Sequence, residues 1–213
     1  MKNKEDVIVI IDCGHGGVDD KNHYTTAPNK MFTFNDGTIA YEGYYNRLIG
    51  SKLNTALRNT GIKSIYTVKP EDTRDISLYQ RSQLENMLYD IGYHTIFISL
   101  HSNAGKGNGF EIFTSKENND SDNLATYIGK SIMYMYPEIP FRKDYSDGDL
   151  DKEANFSVLR NAKGAAVLIE NLFFDNRVDF EILRTERFQH CVATAIKDGI
   201  IQFINYEKPK QEF

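Results

Sequence analysis

The sequence predicts a single α/β domain in which strands alternate with helices, on three observations. Short apolar runs, among them Val7-Ile8-Val9-Ile10-Ile11 and Ala165-Ala166-Val167-Leu168-Ile169, read as strands buried on both faces. The segments between them place apolar residues at helical spacing, and such alternation builds layered α/β domains. Three runs also lead into a residue able to do chemistry: His15 in IIDCGHGG, His101 in ISLHSNA and Glu170 after Ile169. Open α/β sheets bind ligands at such strand ends. With 213 residues and 40% hydrophobic content, one domain can bury a proper core.

The elements follow in order. Residues 7–12 form the first strand. Residues 19–41 lack clear periodicity and read as a long loop. From Glu42 to about Thr60, Tyr45, Leu48, Ile49, Leu53 and Leu57 keep helical spacing, and Gly61 ends the helix. Residues 62–68 are a strand, 78–90 a helix and 94–100 a strand. The stretch GKGNG at 105–109 is a turn before a strand at 110–115. A helix over 122–136 stops at Pro137. The polar, Asp-rich stretch 138–156 reads as a loop or flap. SVLRN at 157–161 and AAVLIE at 165–170 read as two further strands. A short helix near 176–183 and a longer one over 185–205 complete the domain. Its core spans about 6–203, and 204–213 reads as a tail.

Charge and composition exclude several classes. A net charge of −5 gives no general attraction to nucleic acid or anionic membrane. No apolar stretch approaches the ~20 residues of a membrane span, so no membrane anchor is expected. The first apolar run has five residues, fewer than the ~7–15 of a signal peptide core, and it leads straight into the His15 motif. The expectation is a protein cytoplasmic as made. Cys13 and Cys191 carry no metal-site spacing. Cys191 reads as a small core residue. His23, His94 and His190 match no motif.

His15 lies between glycines that free the backbone close to a ligand. Asp12 could accept the second ring N–H of a ligating histidine and fix its tautomer. Glu42 opens the first helix, where a carboxylate is also favoured simply by the helix N-terminus. His101 is flanked by Ser99, Ser102 and Asn103. Two imidazoles and carboxylates at one sheet edge suit a catalytic zinc site with an open position for water.

The motifs together resemble the zinc-dependent N-acetylmuramoyl-L-alanine amidases of the amidase-3 group, over about residues 6–203. D-x-G-H-G-G appears as Asp12 to Gly17, and E-x-x-x-N as Glu42 to Asn46. The T-R then R pattern is Thr73-Arg74 and Arg81. S-x-H-x-N-A is Ser99 to Ala104, and L-x-E-x-x-F-x-x-N is Leu168 to Asn176. The resemblance implies that His15, Glu42 and His101 bind Zn²⁺ and that Glu170 is the catalytic carboxylate. It implies hydrolysis of the amide between N-acetylmuramic acid and L-alanine in peptidoglycan. The implied fold is a twisted, mostly parallel sheet of about six strands flanked by helices on both faces. Asn103 could contact substrate or hold the His101 loop, and Arg74 and Arg81 are expected to brace loop and helix. The chain departs from the pattern in the long loop before Glu42, in Gly164 before the last strand and in Cys13 beside the histidine.

Without an export segment or a wall-binding module, the expected biology is a monomeric phage endolysin. It would be released by a holin-type pore partner and act on the cell wall. Two alternatives carry different signatures. Another zinc hydrolase acting on stem-peptide or muropeptide bonds would free a different amine. A non-catalytic wall-binding domain would lack a ligand or the base.

Overall fold

The computed structural model describes residues 6–26, 28–116, 120–146 and 148–206. Its elements run β1 (Val7–Cys13), β2 (Met31–Thr33), β3 (Ile39–Tyr41), α1 (Glu42–Arg58), β4 (Lys63–Tyr66), α2 (Leu78–Asp90), β5 (His94–Asn103), β6 (Phe110–Thr114), α3 (Asp120–Met135), β7 (Lys152–Glu153), α4 (Ser157–Arg160), β8 (Ala165–Phe173), α5 (Arg177–Leu183) and α6 (Glu186–Asn205). Six strands form one sheet in the order β4-β1-β5-β8-β6-β7. Only the β8–β6 pairing is antiparallel.

Strand alternation sorts the core into two layers. Val7, Val9, Ile11, Ile96, Ile98, Leu100, Val167 and Ile169 face one side and pack with α1, α3 and α6. Ile8, Ile10, Phe97, Ala166 and Leu168 face the other, with Val158 and Leu159 of α4. The central strands are therefore apolar on both faces, which is why they read as continuous runs. The predicted α/β fold, with a mostly parallel six-stranded sheet between helical layers, is the one observed.

Two local expectations are corrected. Residues 157–161 are not a strand: Ser157–Arg160 is the single turn α4. Both edges of β8 are already hydrogen-bonded, by β5 and by β6, so no ladder remains for a further strand beside it. The stretch 19–41 is not all loop. Met31–Thr33 and Ile39–Tyr41 pair as an antiparallel hairpin, and a 3₁₀ turn at Pro28–Lys30 precedes it. Its turn is closed by Gly37 at φ +83°, with Phe34 N–H donating to Thr38 O. The signal was present as Asn35-Asp36-Gly37 between Phe32/Phe34 and Ile39/Tyr41.

The expected flap at 138–156 is largely irregular, apart from β7 at its end. Cys191 is half-buried rather than a core residue. Most of the expected tail lies outside the described residues; α6 itself continues to Asn205. No helix among the described residues is long and apolar enough to cross a membrane.

Candidate active site

The carboxyl ends of β1, β5 and β8 lie side by side. His15 stands just beyond β1 with φ +66°, a left-handed conformation held in place by its surroundings. Arg47 of α1 donates through Nη1 to His15 O (2.7 Å) and Gly16 O (2.8 Å). Its Nη2 reaches Asp72 O and Arg74 O. One buried guanidinium thus ties the His15 loop to the loop after β4. Gly14 is required by close approach: a Cβ there would sit 2.3 Å from the His101 ring.

Glu42 is 1% exposed and begins α1. Its Oε1 lies 2.9 Å from His101 Nδ1 and 3.2 Å from His15 Nε2, the latter poorly aligned for a hydrogen bond. The imidazole rings sit edge to face, with centroids 4.9 Å apart. Burial pushes the Glu42 pKa up, but the hydrogen bonds and charges of His101 and His15 together outweigh it and hold the carboxyl well below its usual range. Burial lowers His15. His101 is raised despite burial, because Glu42 favours its charged form.

These three residues present ligand atoms within 4.8 Å of one another. A tetrahedral metal with bonds of ~2.1 Å separates neighbouring ligand atoms by about 3.4 Å, a few tenths more than the spacings observed. His15 Nε2 and Glu42 Oε2 are also buried without a hydrogen-bond partner. Two imidazole nitrogens gathered on one carboxylate, with one of the nitrogens and one carboxylate oxygen orphaned, are a donor set that fits Zn²⁺.

Glu170 lies on β8 opposite His101 of the parallel β5 and opposite Glu111 of the antiparallel β6. Burial raises its pKa; the nearby His101 only partly offsets this, and the value stands at about 7. Its Oε2 is buried and unpartnered. Glu111 beside it is engaged by Arg142 (2.7 Å), Lys152 and Asn103. Asn103 also accepts from Ala104 N–H (2.7 Å), so its amide braces the turn after β5.

Asp12 does not take a ring N–H from either histidine. It is fully buried, and Oδ1 accepts from Arg81 (2.8 Å) and Thr67 (2.7 Å) while Oδ2 accepts from Ser99 (2.8 Å). Its link to the site runs through Arg81, which also donates to Cys13 O and to Asp75. Arg81 therefore braces the loop as expected. Arg74 stays on the surface, paired with Asp72.

Sequence reading passed over Arg47 and Lys30. Arg47 follows directly on the E-x-x-x-N stretch and is buried without a carboxylate partner among the described ion pairs, a position only a ring of carbonyls explains. Lys30, at the base of the hairpin, brings Nζ to 3.6 Å from Glu42 Oε2. Nothing in its sequence context marks it.

A cleft of about 630 Å³ opens over these groups, in the usual range for a ligand site. His15, His101, Glu170 and Lys30 line one part, and Ile76, Leu78, Phe156, Val158 and Leu168 form an apolar wall. The arrangement can hold a Lewis-acidic metal beside a carboxyl group that titrates near neutrality.

Comparison with known proteins gives one consistent result. The profile of the family described as N-acetylmuramoyl-L-alanine amidase matches residues 9–202. The chain is 28% identical to the endolysin of Bacillus phage SPP1, over 96% of this chain and 71% of the relative. It is 30% identical to the N-acetylmuramoyl-L-alanine amidase CwlM of Bacillus licheniformis, over 95% of this chain and 70% of the relative. Among solved structures, the N-acetylmuramoyl-L-alanine amidase of Clostridium difficile 630 superposes with a TM-score of 0.74 at 25% identity, covering 95% of this chain and 98% of that one.

Proposed function

The chain belongs to the N-acetylmuramoyl-L-alanine amidase family, and on that premise we propose that it is a zinc-dependent hydrolase. His15, Glu42 and His101 hold the metal and Glu170 acts as the base. The observation that carries this reading is the convergence of three orphaned or mutually paired ligand atoms beside a carboxyl group held near neutrality.

When bound, zinc supplies Lewis acidity to the scissile carbonyl and to the attacking water. The remaining work falls to the chain's own groups. Glu170 takes a proton from water at its buried Oε2 and returns it to the leaving amine of L-alanine. A pKa near 7 suits both transfers, since the same group must accept and then donate at working pH. Arg47 and Arg81 fix the backbone that presents His15, so the ligand is held before substrate arrives. The apolar wall excludes water from one side of the cleft.

The endolysin reading of the biology, with lysis of a host cell and release through a holin-type partner, is supported by the likeness to the SPP1 endolysin. Digestion of purified peptidoglycan with analysis of the products by mass spectrometry tests the reaction. The expected product is stem peptide with a free L-alanine amine. A new amine on any other residue would favour the stem-peptide hydrolase instead.

A further inference from the structure

Apart from the cleft, three carboxylates gather where the Asp-rich stretch before β7 meets the first turn of α3. Asp122 of α3, Asp149 and Asp151 bring ligand oxygens within 4.8 Å of one another. The segment is pinned there by Leu150, which is 5% exposed and lies against α3 so closely that a Cβ on Gly129 would come within 2.7 Å of it.

Asp151 is only 2% exposed. Thr114 donates to its Oδ2 (2.6 Å), but its Oδ1 and Asp149 Oδ1 are buried and receive no N–H or hydroxyl donor, the two carboxyls facing each other within reach of a shared proton. Among the described residues, no lysine or arginine pairs with Asp149 or Asp151. A carboxylate this buried is kept only if something neutralises it. The Glu111 carboxylate, by contrast, carries both Arg142 and Lys152.

We propose that Asp122, Asp149 and Asp151 form a second, structural cation site that takes Ca²⁺ and fastens the 148–153 segment to α3. The donor set is all oxygen and triply acidic, the chemistry of a hard divalent cation rather than of zinc, whose nitrogen-rich site lies in the cleft. Ca²⁺ tolerates the irregular geometry of a loop meeting a helix, whereas Mg²⁺ demands a near-ideal octahedron. Without a cation, the same oxygens face each other as like charges: burial, with Asp149 and Asp122 nearby, pushes Asp151 up to about 8. The segment it fastens carries Lys152 on to Glu111, next in register to Glu170.

The test uses the full zinc-loaded chain, with bound calcium measured by equilibrium dialysis and melting followed by circular dichroism. One Ca²⁺ per chain is expected in addition to zinc. At a hundredfold excess over Kd, melting should rise by roughly 5–10 °C. Asp151→Asn and, independently, Asp149→Asn should lose both the bound calcium and the shift while keeping zinc. Glu42→Gln should lose zinc and keep the calcium shift, which separates this site from the cleft. No saturable binding of Ca²⁺ by the parent chain overturns the proposal, and so does a shift that survives in both Asn variants. Asp151→Asn melting higher than a parent that ignores calcium would show that the two carboxyls share a proton instead.

Discussion

His101 and Glu170 are direct partners across the parallel β5–β8 ladder, the first on one strand and the second in register on the next. Cross-strand partners point to the same face, so the sheet itself sets His101, the proposed metal ligand, beside Glu170, the proposed base. This relationship depends on strand register rather than on any loop, and it makes the two roles separable by mutation.

His101→Ala and His15→Ala should each lose most of the bound zinc and with it the activity. Elemental analysis of purified variants measures the first and peptidoglycan release the second. Full activity of the parent in a strong chelator, with no metal remaining, would end the zinc reading.

Glu170→Ala should keep its zinc and lose at least ~10²-fold in rate, the lower range for removing a general acid–base group. Loss of zinc in this variant would make Glu170 a ligand and overturn the assignment. A near-parental rate would place the base elsewhere.

Glu170 also costs stability. Its folded pKa of about 7 lies above the ordinary 4.5, chiefly through burial. The folded state therefore keeps a proton that the unfolded chain releases, and the protonated group's contribution is full below about pH 4.5 and lost as pH rises to about 7. Metal-free Glu170→Gln should melt several degrees higher than the parent at pH 8, with the gap closing toward pH 4.5. A gap that does not change with pH would mean that Glu170 is not buried as a proton-holding group.

Arg81→Ala should destabilise the protein by about 3–5 kcal/mol, because it leaves the fully buried Asp12 carboxylate unpaired. Denaturant unfolding reads this directly. The double change of Asp12→Asn with Arg81→Met should recover part of the loss, since the orphaned charge is gone. No recovery would show that Arg81 acts through the carbonyls of Cys13 and His15 alone.

Arg47→Lys should lower zinc affinity by about 10–100-fold without removing a ligand, the usual scale for groups that orient one. A lysine cannot span the five carbonyls that the guanidinium fork reaches. Zinc competition with a chromophoric chelator measures it. Unchanged affinity would reduce Arg47 to a buried brace of the loops with no influence on the metal.

The sequence by itself determined the α/β layering, the strands of the central sheet apart from β7, the helices apart from α4, and which polar residues stand at the strand ends. Those signals are local: an apolar run, a helical period, or a glycine beside a histidine. It did not determine α4, because a five-residue apolar pattern fits strand or helix alike and only the occupied edges of β8 decide between them. It gave Asp12 the wrong partner for the same reason. A carboxylate two residues before a glycine looks free to serve a histidine until folding brings Arg81, Thr67 and Ser99 around it from three other elements. The Asn-Asp-Gly hairpin was legible, but it was hidden inside a long aperiodic stretch. Tertiary structure alone placed Arg47 under the His15 loop, Lys30 beside Glu42, and Asp149 and Asp151 against α3. These contacts join residues from about 12 to over 30 positions apart in the chain, and nothing in local periodicity records which buried polar atom will meet which.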